Sequence, residues 1–113
     1  LDVARAEAAL RSARAFYYQS IEAAWLVAEA GEKVSIDQRR DIRLATTHAV
    51  EASIKTVDAM YTLGGGSAVY ADSALQRHFR DVHMTSQHIM VAPSTLETVG
   101  RLYLGVEAQT ATL

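Results

Sequence analysis

The sequence predicts an all-α fold, an antiparallel up-and-down four-helix bundle, from three observations. Proline occurs once, at Pro93, and the six glycines lie in only four places, which is typical of long helices with few stops. Apolar residues recur at helical spacing along most of the 113 residues, whereas no alternating strand pattern of useful length occurs. The connections between the predicted helices are short, and short connections favour antiparallel neighbours.

The first helix is expected to run from about Asp2 to Ala30. Two apolar rows with a seven-residue repeat follow its length, which is the pattern of helix-on-helix packing. One row comprises Val3, Leu10, Tyr17 and Ala24, and its neighbour comprises Ala6, Ala13, Ser20 and Val27. Gly31 fits the C′ position at which such a helix ends.

The second helix is expected to begin at Ser35 and to continue to about Leu63. The run Ser35-Ile36-Asp37-Gln38 has the form of a capping box, with Ser35 as the N-cap. A mostly small apolar row comprises Ala45, Ala49, Ala52, Thr56, Ala59 and Leu63. A mostly large row comprises Val50, Ile54, Val57 and Tyr61. Two apolar rows indicate a helix that contacts neighbours on two sides, or a second subunit.

Two shorter helices complete the predicted bundle. The third is expected to start near Ala74, and Pro93 is expected to break it. Its apolar stripe comprises Leu75, Phe79, Val82, Ser86 and Ile89. A second capping-box pattern, 94–97, predicts a fourth helix that extends to about Gln109. No linker, internal repeat or low-complexity segment occurs, so residues 1–113 are expected to form a single domain.

Composition excludes several classes of function. The net charge of −2 is nearly balanced and gives no electrostatic reason to bind nucleic acid or an anionic membrane. The absence of cysteine excludes disulfides and thiolate chemistry. The N-terminus lacks an initiator Met and the pattern of a signal peptide, so we expect a part of a longer, cytoplasmic protein.

The histidines do not form a metal-binding pattern. His78, His83 and His88 lie five residues apart, so successive side chains point about 140° apart around a helix and do not share a face. We therefore predict no metal site. His48 is expected to be a partly exposed polar residue. Taken by itself, His88 favours a hydrogen-bonded structural histidine, because it follows an apolar-faced helix.

The glycine run Gly64-Gly65-Gly66 follows a helix rather than a strand, so it is not a dinucleotide-binding fingerprint. By itself it favours a helix stop. The alternative is a bare backbone whose N–H groups a phosphate or another chain can approach.

Two groups of charged residues are expected to form solvated helix faces. Arg77 and Asp81 lie one helical turn apart and are expected to pair, with Arg80 beside them. On the second helix, the corresponding basic residues are Arg39, Arg40 and Arg43.

The segment from Tyr61 to His83 resembles the C-terminal signature of the acyl-CoA dehydrogenase superfamily. Gly65-Gly66 fit the glycine turn of that signature, and its second half is met at the expected spacing by Asp72, Arg77 and Asp81. The resemblance covers essentially the whole chain and implies the C-terminal helical domain of a flavoenzyme. The other domains of the superfamily help to form its flavin and substrate sites, so the isolated piece is expected to be inactive.

Two positions depart from the signature. Thr62 stands where an acid or amide is typical, and Ala68 stands where the last glycine is expected. Both departures weaken the expectation of dehydrogenase-type contacts with FAD. The resemblance therefore implies FMN or FAD as the cofactor and favours FMN.

Within the superfamily, the sequence resembles the two-component flavin monooxygenases. Dehydrogenases carry a catalytic Glu after the Arg-Asp pair, but residues 84–90 read Met-Thr-Ser-Gln-His-Ile-Met and contain no carboxylate. Removal of an acyl α-proton therefore lacks its usual base. The monooxygenase branch takes reduced flavin from a separate reductase and hydroxylates aromatic or related small molecules through a hydroperoxyflavin.

The resemblance also implies site residues. A histidine near the position of His88 faces the flavin in the monooxygenase branch, where it can hydrogen-bond the hydroperoxide or take a proton from a substrate phenol. Gly64, Gly65 and Gly66 become candidates for backbone contact with the flavin phosphate, often from a neighbouring subunit. A homo-oligomer, a dimer or tetramer, is implied. We expect the glycines and His88 to meet at one rim of the bundle.

Two other functions remain open from the sequence. One is an acyl-CoA dehydrogenase that oxidises an acyl thioester with FAD and takes its base from elsewhere in the protein. The other is a non-catalytic helical module that only oligomerises, which the small-residue row of the second helix would suit.

Overall fold

The computed structural model describes residues 1–70 and 72–113 and confirms the all-helical class. Its four α-helices are α1 (Asp2–Glu29), α2 (Ile36–Leu63), α3 (Ala74–Thr85) and α4 (Ser94–Tyr103). Two 3₁₀ turns, Gly65–Val69 and Ile89–Val91, connect the last three helices, and no strand occurs in the described ranges. In the same ranges, no helix combines the length and apolar character that a membrane crossing requires.

The second helix, α2, is the central element. It packs against α1 on one side and against α3, α4 and both 3₁₀ turns on the others, as its two apolar rows predict. Among the described residues, no comparable contact joins α1 to α3 or to α4. The molecule is therefore elongated, with extents of 51 × 27 × 26 Å.

Small side chains fill the seam between α1 and α2. The fully buried apolar residues of the two helices are all alanines: Ala6, Ala13, Ala24, Ala45 and Ala52. The packed residues of α1 are thus Ala6, Ala13 and Ser20 of one row with Ala24 of the other, whereas Val3 and Leu10 are 61% and 41% exposed. Alanine seams allow the two backbones to approach closely, but each alanine removes little apolar area from water.

The ends of the two long helices follow the predicted signals. Ser35 Oγ accepts from the Gln38 N–H at 3.1 Å, and Gln38 Oε1 accepts from the Ser35 N–H at 3.1 Å, which confirms the capping box. Gly31 has φ +77°, and its N–H donates to the Ala28 carbonyl in a Schellman motif that ends α1.

The second capping box is wrong. Pro93, not Ser94, is the N-cap of α4, and no side chain caps that end. The Thr95 N–H instead donates to the Ala92 carbonyl at 2.9 Å and the Leu96 N–H to the Pro93 carbonyl at 3.0 Å, so tight backbone turns satisfy the start of the helix. At its other end α4 stops at Tyr103 rather than near Gln109, because Gly105 adopts φ +69° in a further Schellman motif.

The direction of α4 also differs from the expected up-and-down order. Thr95 at the start of α4 contacts Thr47 of α2, whereas Tyr103 at its end contacts Asp41. Because α3 also runs towards the N-terminal end of α2, α4 continues in the direction of α3 and does not double back along it. The histidine segment between them is consequently a turn on the side of α2.

Candidate functional site

The turn that carries His88, defined here as the histidine turn (His88–Val91), forms because polar residues end α3 early. The predicted stripe continued to Ile89, but α3 ends at Thr85. The Ser86 hydroxyl donates to the His83 carbonyl at 2.6 Å, and the His88 N–H donates to the Thr85 carbonyl at 3.1 Å. These local bonds compete with continuation of the α-helix and leave His88 outside it.

His88 is exposed and caps the 3₁₀ turn that follows it. Its Nδ1 accepts a hydrogen bond from the Met90 N–H at 3.1 Å. A nitrogen that accepts this bond carries no proton, so the neutral ring holds its proton on Nε2. His88 thus combines the structural role that the sequence favoured with an outward Nε2–H donor. In this state the ring is suited to donating a hydrogen bond rather than to taking a proton at Nε2.

Arg43 supports the histidine turn from behind. This residue is 8% exposed, and its Nη1 donates to the Met90 carbonyl at 2.7 Å, while Nη2 donates to the Thr112 carbonyl. The prediction that Arg39 and Arg43 lie on a solvated face is wrong, because Arg39 also reaches inward and donates to the Leu113 carbonyl at 2.9 Å.

The burial of Arg43 has a signal in the sequence. The large apolar row of α2 contains Val50 and Val57, and the same seven-residue step backwards reaches Arg43. The buried face therefore extends to a position where the side chain is charged. A buried charge must be hydrogen-bonded, and two main-chain carbonyls meet that requirement here.

A cavity of about 380 Å³ lies beside the histidine turn. Its wall combines an apolar part from the turn with hydroxyl, amide and guanidinium groups, and its lining residues are Arg43, Ile89, Met90, Ser94, Thr95, Thr98, Gln109 and Thr112. Its volume lies at the lower end of the range for small-molecule sites.

Ser94, Thr95 and Thr98 of α4 form one wall of the cavity. Side-chain contacts hold α4 on α2. The Arg40 guanidinium stacks on the Tyr103 ring at 4.0 Å from its centroid, and the Tyr103 hydroxyl donates to Asp41 at 2.9 Å. Burial, and then the hydrogen bond to Asp41, raise the pKa of Tyr103, and the hydrogen bond to Asp41 also raises the pKa of Arg40. The expected solvated role of Arg40 is thus also wrong.

The glycine corner (Gly64–Gly66) divides into one packed and two open residues. A Cβ at Gly64 would lie 2.8 Å from Leu75 Cδ1, and the Gly64 N–H already donates to the Met60 carbonyl at 2.9 Å. Added Cβ atoms at Gly65 and Gly66 would meet nothing within 4 Å, and Gly65 has φ +61°. The Gly65 N–H at the end of α2 is engaged by the Thr62 carbonyl, so Gly66 is the residue of the corner whose backbone fits the approach of a phosphate.

The glycine corner and His88 do not share a rim, contrary to the expectation. Gly64 packs against the start of α3, and the 12 residues of α3 then carry the chain about 18 Å further. Beyond His88, Met90 lies on Arg43, near the opposite end of α2. The two candidate sites are therefore about 20 Å apart along the molecule.

The other candidate residues remain separate from both sites. His83 Nε2 lies 2.8 Å from Asp58 Oδ1 and its ring packs on Phe79, which links α3 to α2. In residues 1–70 and 72–113, no three His, Asp or Glu side chains converge as metal ligands would. Arg77 and Asp81 are exposed, and the pairing expected between them does not occur.

The sequence of this chain matches that of a known protein family. The profile of the family described as "Acyl-CoA dehydrogenase, C-terminal domain" matches residues 1–93. The chain is similar to an indole-3-acetate monooxygenase of Pseudomonas putida, at 39% identity over 93% of this chain and 27% of that protein. It is also similar to a pigment production hydroxylase of Rhodococcus erythropolis, at 31% identity over 83% of this chain and 24% of that protein.

The fold has a counterpart among solved structures. The crystal structure of a 3-HSA hydroxylase from Rhodococcus sp. RHA1 superposes with a TM-score of 0.73 at 22% identity, over 93% of this chain and 30% of that chain. The chain thus spans about a quarter of the length of the curated relatives that it matches. By its sequence profile and its fold, it belongs to the acyl-CoA dehydrogenase C-terminal domain family.

Proposed function

We propose that residues 1–113 are the C-terminal domain of a two-component flavin-dependent monooxygenase that hydroxylates a small organic molecule. The observation that carries the proposal is the histidine turn, where the outward Nε2–H of His88 stands in a segment without carboxylates. The relatives, a monooxygenase and two hydroxylases, support the same reaction class.

The bound flavin would supply two electrons to O₂, so that one oxygen atom enters the substrate and the other leaves as water. The role proposed for this chain is to place a hydrogen-bond donor, His88 Nε2–H, where negative charge develops on oxygen. A separate reductase would deliver the reduced flavin. FMN is favoured over FAD because Thr62 and Ala68 depart from the dehydrogenase signature.

The glycine corner is proposed to contact the flavin phosphate through the open backbone of Gly66, while Gly65, with φ +61°, forms the turn that presents it. Gly64 contributes packing instead, because its N–H is engaged by Met60 and its Cα faces Leu75. His88 is proposed to face the flavin ring, and the glycine corner lies about 20 Å from it along the molecule. We therefore assign the corner and His88 of one chain to two different flavin sites, which requires a homo-oligomer, a dimer or tetramer.

The test is the substitution His88→Ala in the full-length enzyme, with His78→Ala as the matched control. His78 is an exposed histidine of α3, outside the proposed site. Loss of a donor at developing charge is expected to reduce hydroxylation about 10²-fold and to leave flavin binding and folding unchanged. Product formed per O₂ consumed is the measurement, and an H88A enzyme with unchanged turnover would contradict the proposal.

An acyl-CoA dehydrogenase is the second candidate, since the family itself includes dehydrogenases. The two reactions separate on oxygen use. A dehydrogenase reduces its bound flavin when an acyl-CoA is added without O₂, and the flavin absorbance bleaches. The proposed monooxygenase does not bleach under these conditions and consumes O₂ only when reduced flavin is supplied.

A further inference from the structure

Arg43 connects three parts of the molecule that are distant in sequence. From two turns after the start of α2, its guanidinium donates to Met90 in the histidine turn and to Thr112 in the C-terminal segment (Gln109–Leu113). With 8% of its surface exposed, the side chain is removed from bulk water. A planar guanidinium presents its donors in a fixed fork, so the two carbonyls are held at a set separation and orientation.

Met90 is the link between Arg43 and His88. Its carbonyl accepts from Arg43 Nη1 at 2.7 Å, and its N–H donates to His88 Nδ1 at 3.1 Å. The orientation of the Met90 backbone thus determines whether the imidazole accepts this hydrogen bond. While the cap is in place, the proton of the neutral ring must reside on Nε2, the nitrogen directed away from the turn.

We propose that Arg43 is a positioning residue for His88: it fixes the Met90 backbone, and thereby the Nε2–H tautomer and the orientation of the imidazole. The inference rests on the proposed function, in which that Nε2–H is the working donor. It adds that the C-terminal segment shares the same guanidinium, so the segment and the histidine turn are held as one unit.

The competing explanation is that Arg43 only holds the C-terminal segment. Arg39 provides the matched control, because its Nη2 donates to the Thr110 and Leu113 carbonyls at 3.3 and 2.9 Å. It lies one helical turn before Arg43 on α2 and holds the same segment. In the structure its hydrogen bonds go to that segment and not to the histidine turn.

The experiment compares Arg43→Gln, Arg43→Lys and Arg39→Gln in the full-length enzyme. Ring ¹⁵N NMR of histidine-labelled protein reports the tautomer, and the His88 signal is the one that His88→Gln removes. Product formed per O₂ consumed reports function. R43Q is expected to lose the single Nε2–H tautomer and to reduce coupled hydroxylation about tenfold or more, because small misplacements of a catalytic group have effects of that size.

R43K is expected to fall between wild type and R43Q, since an ammonium can reach one carbonyl but cannot fork across two. R39Q is expected to keep both the tautomer and the product yield. If R43Q does not fold, R43K against R39Q gives the same comparison.

Two results would overturn the inference: an unchanged His88 tautomer in the Arg43 variants, or equal losses of product in the Arg43 and Arg39 variants. Failure of the proposed function is distinguishable from both. In that case His88→Ala leaves hydroxylation unchanged, while the tautomer measurement still reports whether Arg43 fixes the ring.

Discussion

Thr47 is the most deeply buried side chain of the seam between α2 and α4, with 0% of its surface exposed. Thr95 donates its own hydroxyl proton to the Ala92 carbonyl, so the 3.0 Å bond between the two threonines takes its proton from Thr47. Polar pairs of this kind add to the apolar packing of α4, whose buried residue is Val99. Single buried hydroxyls therefore have measurable effects on stability.

Thr47→Val should lower the free energy of unfolding by about 1 kcal/mol, because it removes one buried hydrogen bond while keeping the volume. Thr46→Val is the matched control, since the Thr46 hydroxyl bonds only to the Ile42 carbonyl of its own helix. Urea unfolding followed by circular dichroism measures both variants. Equal stabilities of the two variants would show that the Thr47–Thr95 contact does not hold α4.

Tyr103 makes the stability of α4 depend on pH. Burial and the hydrogen bond to Asp41 raise its pKa in the folded protein above the unfolded value. A raised folded pKa contributes stability that is fully present below about pH 10, the ordinary tyrosine value, and is lost as the pH rises through the raised value.

The stability difference between wild type and Tyr103→Phe is therefore expected to shrink as the pH rises. Urea unfolding at about pH 8 and about pH 11 tests this, since the two values lie on either side of the ordinary tyrosine pKa. A difference that stays constant, or that grows at the higher pH, would contradict the role assigned to the Tyr103 hydroxyl.

At the scale of helices, the sequence predicted the long elements well because their signals are local. The Ser35 capping box and the Gly31 stop depend on neighbouring residues alone, and both were found in place. The end of α3 and the start of α4 were not predicted correctly. There, the hydroxyl groups of Ser86 and Thr95 donate to nearby carbonyls and compete with the regular helical hydrogen bonds. The spacing of apolar residues does not reveal such local bonds.

The glycine corner gives a prediction about cofactor binding. Gly66→Ala adds one methyl group into open space, so folding should be unaffected while the backbone loses its close approach to a phosphate. Flavin affinity should fall about tenfold, which corresponds to roughly one charge-assisted hydrogen bond.

Gly100→Ala is the control for this substitution. Its added methyl group also meets nothing within 4 Å, but it lies inside α4. Alanine is the better helix former there and should raise stability by about 0.5–1 kcal/mol with no change in flavin affinity. Flavin titration by fluorescence measures both variants, and unchanged affinity in Gly66→Ala would reduce the corner to a helix stop.

At the scale of the whole molecule, the chain is less compact than is usual for a domain of its length. Its radius of gyration is 16.7 Å, whereas a compact domain of this length has about 13 Å. Large apolar side chains remain at the surface of α1, including Trp25 at 66% and Leu26 at 57% exposure. Exposed apolar surface of this kind is typical of faces that other protein surfaces cover.

The chain is thus expected to associate with itself in solution as its concentration rises. Trp25 is its only tryptophan, so the fluorescence reports one site. Emission should shift to shorter wavelength as association buries the ring, and Trp25→Glu should shift the equilibrium towards monomer in sedimentation velocity. A monomer with unshifted emission at every concentration would contradict a role for this face in assembly.

The family of the chain was predictable from its sequence, because the segment from Tyr61 to His83 resembles the acyl-CoA dehydrogenase signature. Flavin chemistry at His88 and the glycine corner is what that resemblance implies, and it stays a prediction. The separation between the glycine corner and His88 was not predictable, because it depends on the length of α3 and on the direction of α4. The burial of Arg43 differs from the predicted solvated face because its position continues a buried row of α2.

The distance between the glycine corner and His88 predicts a genetic behaviour of the intact enzyme. If each flavin site takes His88 from one subunit and the glycine corner from another, two inactive variants can complement each other in a mixed oligomer. A mixed oligomer of His88→Ala and Gly66→Val subunits would contain some centres with both parts intact and would regain activity. A centre built from a single chain would show no such complementation.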